Sequence, residues 1–294
     1  MSSLIERFAP SPTGLLHLGH AFSALTAFEA ARGGRFLLRI EDIDHTRCRP
    51  EFEAAILEDL AWLGLRWEQP VLRQSTRLPA YQAVLAALAA RGLLFPCTCT
   101  RRDLALAAPQ EGAGGPDGPP YPGTCRGRSL AEVQASGEPH ALRLDMGRAI
   151  DALGGAASVA ALLIEELGEG PGGESGPIPL DPAHLRDAVG DIALARKDIG
   201  TSYHLAVVLD DAWQGVTCIT RGQDLFTATP IHRLLQALIG LPVPRWRHHR
   251  LIRDAQGRRL AKRDNARALR TLREAGASPE DIRGMIGLGR TLRP

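Results

Sequence analysis

His17 and His20 bracket Leu18-Gly19 in the string RFAPSPTGLLHLGH, and about 240 residues later GRRLAKRDNA gathers Arg258, Arg259, Lys262 and Arg263. Exposed backbone N–H groups at a helix start bind phosphate, and imidazoles can add donors to phosphate oxygens. A cationic arm suits charge that develops on a triphosphate as pyrophosphate is displaced. Lys197 and Lys262 are the only lysines among 35 basic residues, so an ammonium at 262 asks what a guanidinium would not do there. Taken singly, each string has an ordinary reading, as capping or buried histidines and as a solvated loop. A third string, CTCTRRDLALAAPQEGAGGPDGPPYPGTC, holds three of the five cysteines. Cys97 and Cys99 leave one face of an extended segment, and Cys125 closes from the other side. Structural zinc takes four ligands, which leaves the fourth open among Tyr121, His140, Asp103, Asp117 and water. Cys48 and Cys218 read as small buried residues, and an odd cysteine count argues against a disulfide framework.

These groups need a scaffold, and the chain supplies one. It has 294 residues, 44% hydrophobic and 23% charged, enough for a large domain and a smaller one. It shows no run of eighteen apolar residues and no signal-peptide pattern at MSSLIERFAPSP, so the expected location is the cytoplasm. LIERFA and RFLLRIED read as strands; HAFSALTAFEAARGG, EFEAAILEDLAWLGL and LPAYQAVLAALAARGL read as helices. Strand, helix, strand, helix predicts a doubly wound, parallel-sheet α/β domain with Rossmann-like character. Residues 1–94 form its first half, and the Gly- and Pro-rich residues 95–187 an inserted subdomain. Residues 188–244 form the second half, and 245–294 a basic loop with a short helical extension, Ser278 capping its last helix. The overall charge of +2 hides an asymmetry: residues 245–294 carry +9, leaving −7 elsewhere, as a polyanionic partner met from one end would require.

In order, the strings resemble the class I aminoacyl-tRNA synthetases. HLGH is similar to their HIGH signature and RLAKR to their KMSKS loop, while RIEDIDHTR, YHLAVVLDD, QGVTCITRGQDL and TPIHRLL look like the glutamyl branch. The resemblance implies a class I catalytic domain with an inserted zinc-containing subdomain. It implies that His17, Gly19, His20, Arg259 and Lys262 bind ATP, with His17, His20 and Lys262 catalytic and Mg²⁺ on the phosphates. It implies that Arg7, Ser11, Glu41, Tyr203 and Arg221 bind glutamate: two guanidiniums for carboxylates, a carboxylate for the ammonium and two hydroxyls for orientation. It also points to Tyr121 as the fourth zinc ligand beside Cys97, Cys99 and Cys125. One departure is Ala261, where the family loop usually carries serine.

Only 31 residues follow Arg263, too few for the anticodon-binding region of a full glutamyl-tRNA synthetase. The shorter form resembles the glutamyl-queuosine tRNA(Asp) synthetases. That implies tRNA-independent activation of glutamate, transfer to the queuosine base of tRNA(Asp), a monomeric enzyme and no membrane partner. The alternatives are a specialised glutamyl-tRNA synthetase charging a 3′ end, a nucleotidyltransferase of the same superfamily and a non-catalytic RNA-binding paralogue.

Overall fold

A computed structural model describes residues 4–107, 115–253 and 268–289. Arg258, Arg259, Ala261, Lys262 and Arg263 lie outside the described residues. The chain forms β1 (Ile5–Phe8), β2 (Arg35–Ile40), β3 (Glu68–Arg73), β4 (Leu94–Cys97), β5 (Ala141–Leu144), β6 (Leu163–Glu166), β7 (Gly176–Pro179), β8 (Ala193–Ala195), β9 (Cys218–Gly222) and β10 (Arg245–His249). Helices Leu18–Ala30, Pro50–Trp62 and Leu78–Ala90 alternate with the first strands, as the sequence pattern predicts.

β1, β2 and β3 pair in parallel, and β10 pairs in parallel with both β9 and β6; β7 adds an antiparallel edge. The two sheets meet at β1 and β9. There Ile5 N donates to Thr217 Oγ1 at 2.9 Å, Thr217 N donates to the Ile5 carbonyl at 3.0 Å, and Thr220 Oγ1 donates to the buried Glu6 carboxylate at 2.9 Å. β1 connects to β2 on one side and β9 connects to β10 on the other, so the carboxyl ends of β1 and β9 form the switch point of a doubly wound sheet, where a crevice opens. The helix that follows buries Ala21, Phe22, Ala24, Leu25 and Ala27 against the sheet. It stops before Gly33, whose φ of +79° needs a residue without a Cβ.

The segment 95–187, expected as an insertion, supplies β5 and most of β4 to a small antiparallel sheet in the order β4-β5-β8, whose third strand lies beyond it. Its side chains Leu144, Met146, Ile150, Val159, Leu180 and Leu185 join the main core rather than a core of their own. The C-terminal helices Leu269–Glu274 and Pro279–Met285 pack Leu269, Ile282 and Ile286 beside Phe22 and Leu25. Ser278 caps the second of them by accepting from Asp281 N at 3.2 Å. Leu269 N donates to the Leu16 carbonyl at 2.8 Å, which pins the extension beside the HLGH turn. Arg270 and Arg273 pair with Glu58, and Arg283 with Glu29, so three of the basic residues counted at this end bind the body of the protein. No described helix is long and apolar enough to cross a membrane.

Candidate functional site

At the carboxyl ends of β1, β2, β9 and β10 lies a cleft of about 420 Å³. Arg7, Ser11, His17, Gly19, His20, Glu41, Tyr203 and Arg221 all line it, so residues up to 214 positions apart converge on one space. The side chains come from the ends of strands and the starts of helices, where backbone geometry is fixed by the sheet behind them.

His17 is the N-cap of helix Leu18–Ala30. Its Nδ1 accepts from Gly19 N at 3.1 Å, and His20 Nδ1 accepts from His17 N at 3.2 Å, so the two imidazoles form the capping box that Ser and Glu usually supply. The rings stack with centroids 3.8 Å apart. An Nδ1 that accepts leaves the ring proton on Nε2, so each neutral ring carries its donor on the atom away from the helix backbone. The family resemblance implies that Gly19 binds ATP. The structure adds a nearer reason: a Cβ there would stand 3.0 Å from His17 Cε1, so glycine makes room for the capping imidazole itself.

Behind the cleft lies a closed set of charges. Arg7 Nε donates to Asp211 Oδ1 at 2.9 Å and Arg39 Nη1 to the same oxygen at 2.7 Å, while Arg39 Nη2 reaches Glu41 at 3.2 Å. All four residues are buried. Burial works against the Asp211 carboxylate, but Arg39 and Arg7 bring it below the ordinary range; burial pushes Glu41 above it despite the same two arginines. The next acid, Asp210, accepts from Tyr81 at 2.6 Å, Arg77 at 2.9 Å and Gln74 at 3.0 Å and anchors the helix Tyr203–Trp213.

Arg221 is different. It is 5% exposed, and its donors go to neutral acceptors: Thr229 Oγ1 at 2.7 Å, His248 Nε2 at 3.1 Å and His232 Nδ1 at 3.2 Å. The Tyr203 hydroxyl lies against it. Among the described residues no carboxylate is within ion-pair distance of Arg221. Burial lowers its pKa, yet a guanidinium stays charged, so the cleft wall holds a buried cation without a counter-charge. Sequence reasoning missed Asp211, His204, His232 and His248. The one signal available was the acidic pair inside the apolar LAVVLDDA, because buried acids need cationic partners.

The cysteine string folds into a second arrangement, away from this cleft. The Sγ atoms of Cys97, Cys99 and Cys125 lie within 4.8 Å of one another, with Cys99 and Cys125 3.6 Å apart. The Tyr121 hydroxyl sits 3.5 Å from Cys97 Sγ and 3.7 Å from Cys99 Sγ, and accepts from Cys125 N at 2.9 Å. Of the other candidates, Asp103 bonds Thr100, Asp117 bonds His204 and His140 bonds the Glu138 carbonyl. A tetrahedral zinc with bonds near 2.3 Å to sulfur would set thiolates ~3.8 Å apart, close to the spacing found, so these four side chains fit a zinc ion. Burial resists the thiolate at Cys125, but hydrogen bonds from Tyr121 and Thr98 bring it down to about 6, whereas burial pushes Cys99 up to about 11 and Tyr121 above its usual value, so an ion would have to displace protons from those two groups. Cys218 is buried in β9, Cys48 is half-buried, and none of the five cysteines forms a disulfide.

Comparison with known proteins gives a consistent result. The model of the class I tRNA synthetases (E and Q), catalytic domain, matches residues 3–154 and 176–291. A glutamyl-Q tRNA(Asp) synthetase of Rhodobacter capsulatus is 56% identical over 290 residues, 97% of this chain and all of that protein. One from Nocardia farcinica is 41% identical over 98% of this chain and 86% of that protein. Among solved structures, a glutamate tRNA ligase from Elizabethkingia meningosepticum in complex with its amino acid shares the fold at a TM-score of 0.74 and 23% identity; the match covers 98% of this chain and 61% of that one. The cleft between β1 and β9, with its histidine-capped helix, is thus set in a known scaffold, and the chain belongs to the class I tRNA synthetase family for E and Q, in the branch of the glutamyl-Q tRNA(Asp) synthetases.

Proposed function

We propose that this chain activates glutamate with ATP, without tRNA, and transfers the glutamyl group to the queuosine base in the anticodon of tRNA(Asp). The observation that carries the reading is Arg221: a buried, uncompensated guanidinium in the same cleft as two Nε2–H imidazoles at a helix start. A ligand with a carboxylate supplies the missing charge, and one without it does not. In this reading Arg221 and Arg7 receive carboxylates, Glu41 receives the ammonium, and Ser11 and Tyr203 orient the amino acid.

An oxygen of the glutamate α-carboxylate attacks the α-phosphorus of ATP, the bond to the β-phosphate oxygen breaks, and pyrophosphate leaves with its electron pair. His17 and His20 donate from Nε2 to phosphate oxygens beside Gly19, and Arg259 and Lys262 neutralise the departing charge, with Mg²⁺ on the phosphates. A hydroxyl of the acceptor nucleoside then attacks the glutamyl carbonyl and AMP leaves. Positioning and charge do the chemistry, so no side chain becomes covalently attached. Cys97, Cys99, Tyr121 and Cys125 hold a structural zinc that ties the base of the inserted segment, and residues 95–187 form the subdomain beside which the acceptor enters. The enzyme acts in the cytoplasm as a monomer.

The test is transfer of labelled glutamate to tRNA(Asp) with and without queuosine. Label that needs queuosine and survives removal of the terminal adenosine is the expected result. Label at the 3′ end would instead make the chain a specialised glutamyl-tRNA synthetase, and the absence of any glutamate-dependent pyrophosphate exchange would leave an RNA-binding paralogue.

A further inference from the structure

Arg221 is the middle of a hydrogen-bonded chain that runs through three histidines to two carboxylates. On one side His232 Nδ1 faces Arg221 at 3.2 Å, His232 Nε2 faces His204 Nδ1 at 3.1 Å, and His204 Nε2 faces Asp117 Oδ2 at 3.2 Å. On the other, His248 Nε2 faces Arg221 at 3.1 Å and His248 Nδ1 faces Glu166 Oε2. A guanidinium can only donate, and an ionised carboxylate can only accept. Between such ends each neutral imidazole has one way to satisfy both neighbours. His232 and His204 must carry the proton on Nε2, and His248 on Nδ1. All hydrogens then point away from Arg221, and every nitrogen of these three rings has a partner.

The two arms differ in where they end. Glu166, His248, His232 and His204 are buried, with Glu166 and His248 on neighbouring strands of the sheet. Asp117 is exposed, on the Gly- and Pro-rich part of the inserted segment, and borders a second cavity of about 810 Å³. Tyr203 lines both this cavity and the cleft. Burial and the neighbouring Arg221 charge hold the His232 pKa well below its usual value, which keeps the ring neutral.

We propose that His204 and His232 form a positioning relay from Asp117 to Arg221, fixing the plane of the guanidinium so that the cleft selects a negatively charged amino-acid side chain over its neutral amide. This rests on the glutamate reading of the cleft. Without an acceptor at 232, Arg221 keeps its charge but loses one of the three bonds that set its direction, and an amide could then be met as well as a carboxylate. Neither histidine touches substrate; both act through Arg221.

Kinetics of three variants and a spectrum of the wild type test the relay. His232→Leu removes the acceptor, whereas His232→Gln can accept at its carbonyl and donate at its amide, keeping the direction of the chain. In glutamate-dependent ATP–pyrophosphate exchange, His232→Leu should raise the glutamate KM by roughly 30-fold and cut the preference for glutamate over glutamine by about 10-fold, the loss expected for one hydrogen bond to a charged group. The ATP KM should stay within about twofold, and His232→Gln should recover most of the loss. Asp117→Ala should show a smaller change of the same kind, roughly threefold. An unchanged glutamate KM in His232→Leu, or a parallel rise in the ATP KM, would overturn the relay. ¹⁵N spectra of histidine-labelled wild-type protein give a reading free of activity: neutral Nε2–H tautomers at 204 and 232 and Nδ1–H at 248 are expected, and a cation or the opposite tautomer at 232 refutes the proposal. Absence of glutamate-dependent exchange in the wild type would sink the glutamate reading, and the spectrum would still decide the relay.

Discussion

Arg39 and Arg221 are both buried arginines next to one cleft, and they are held in opposite ways. Arg39 sits between Asp211 and Glu41, and its charge is answered inside the protein. Arg221 sits among a threonine and two imidazoles, and its charge is not. A buried ion pair that is complete supports the fold and asks nothing of a ligand; a buried cation without a counter-charge costs stability unless something arrives to match it. The first arrangement is scaffold; the second, on the function proposed above, is a receptor. The contrast separates Arg39, which is satisfied within the protein, from Arg221, which is not.

The contrast can be broken most sharply at Arg221 itself. Arg221→Leu should lower glutamate-dependent pyrophosphate exchange by about 10³-fold, the consequence of losing a buried charge-assisted carboxylate contact, while unfolding in urea shifts by no more than about 1 kcal/mol. A variant as unstable as it is inactive would show that Arg221 is scaffold after all. Asp211→Asn attacks the other side. It leaves Arg39 with Glu41 alone and takes from Arg7 its carboxylate partner, and should cost about 3–5 kcal/mol in urea unfolding; a loss under 1 kcal/mol would mean that the closed set is not what holds the cleft.

A third buried charge, far from the cleft, sharpens the rule by its sign. Asp59 on helix Pro50–Trp62 is fully buried, neither oxygen has a hydrogen-bond partner, and Arg273 Nη1 stands 3.6 Å away. Burial raises its pKa to about 6 against a pull downward from Arg273. The folded chain therefore holds this proton more tightly than the unfolded one. The stabilisation is fully present below about pH 4 and is lost as pH rises through about 6, a span worth about 2–3 kcal/mol. Asp59→Asn should remove that contribution to the pH dependence of urea unfolding between pH 4 and pH 7; an unaltered profile would place the titration elsewhere.

The order of strands and helices could be read from the sequence because each element carries its own periodicity, and because glycines such as Gly33 mark where helices stop. The cleft residues were reached through motifs, each of which means little until β1 and β9 are known to abut. What could not be read depends on contacts between distant segments. Asp211 meets Arg7 across 204 positions, and His204, His232 and His248 lie on two helices and a strand with no shared spacing. The cysteine string is intermediate. The three cysteines are visible as a set and the family resemblance points to Tyr121, but spacing alone leaves four side chains open, because it does not place a hydroxyl beside the sulfurs. The packing of residues 141–185 into the main core was also hidden, since Gly and Pro density marks loops and says nothing of where the few apolar side chains between them point.

The ion pairs that dock the C-terminal helices bear on how any RNA would meet this end of the protein. A polyanion gains affinity by displacing salt ions from the charges it neutralises, and each such contact steepens the fall of binding with added salt. Arg270, Arg273 and Arg283 already have carboxylates as their counterions, bound within the same chain. They release no salt ion when RNA arrives. Counting charges in residues 245–294 therefore overstates the salt sensitivity of binding there, and near the cleft the electrostatic attraction falls to Arg250, which lines it just past the end of β10.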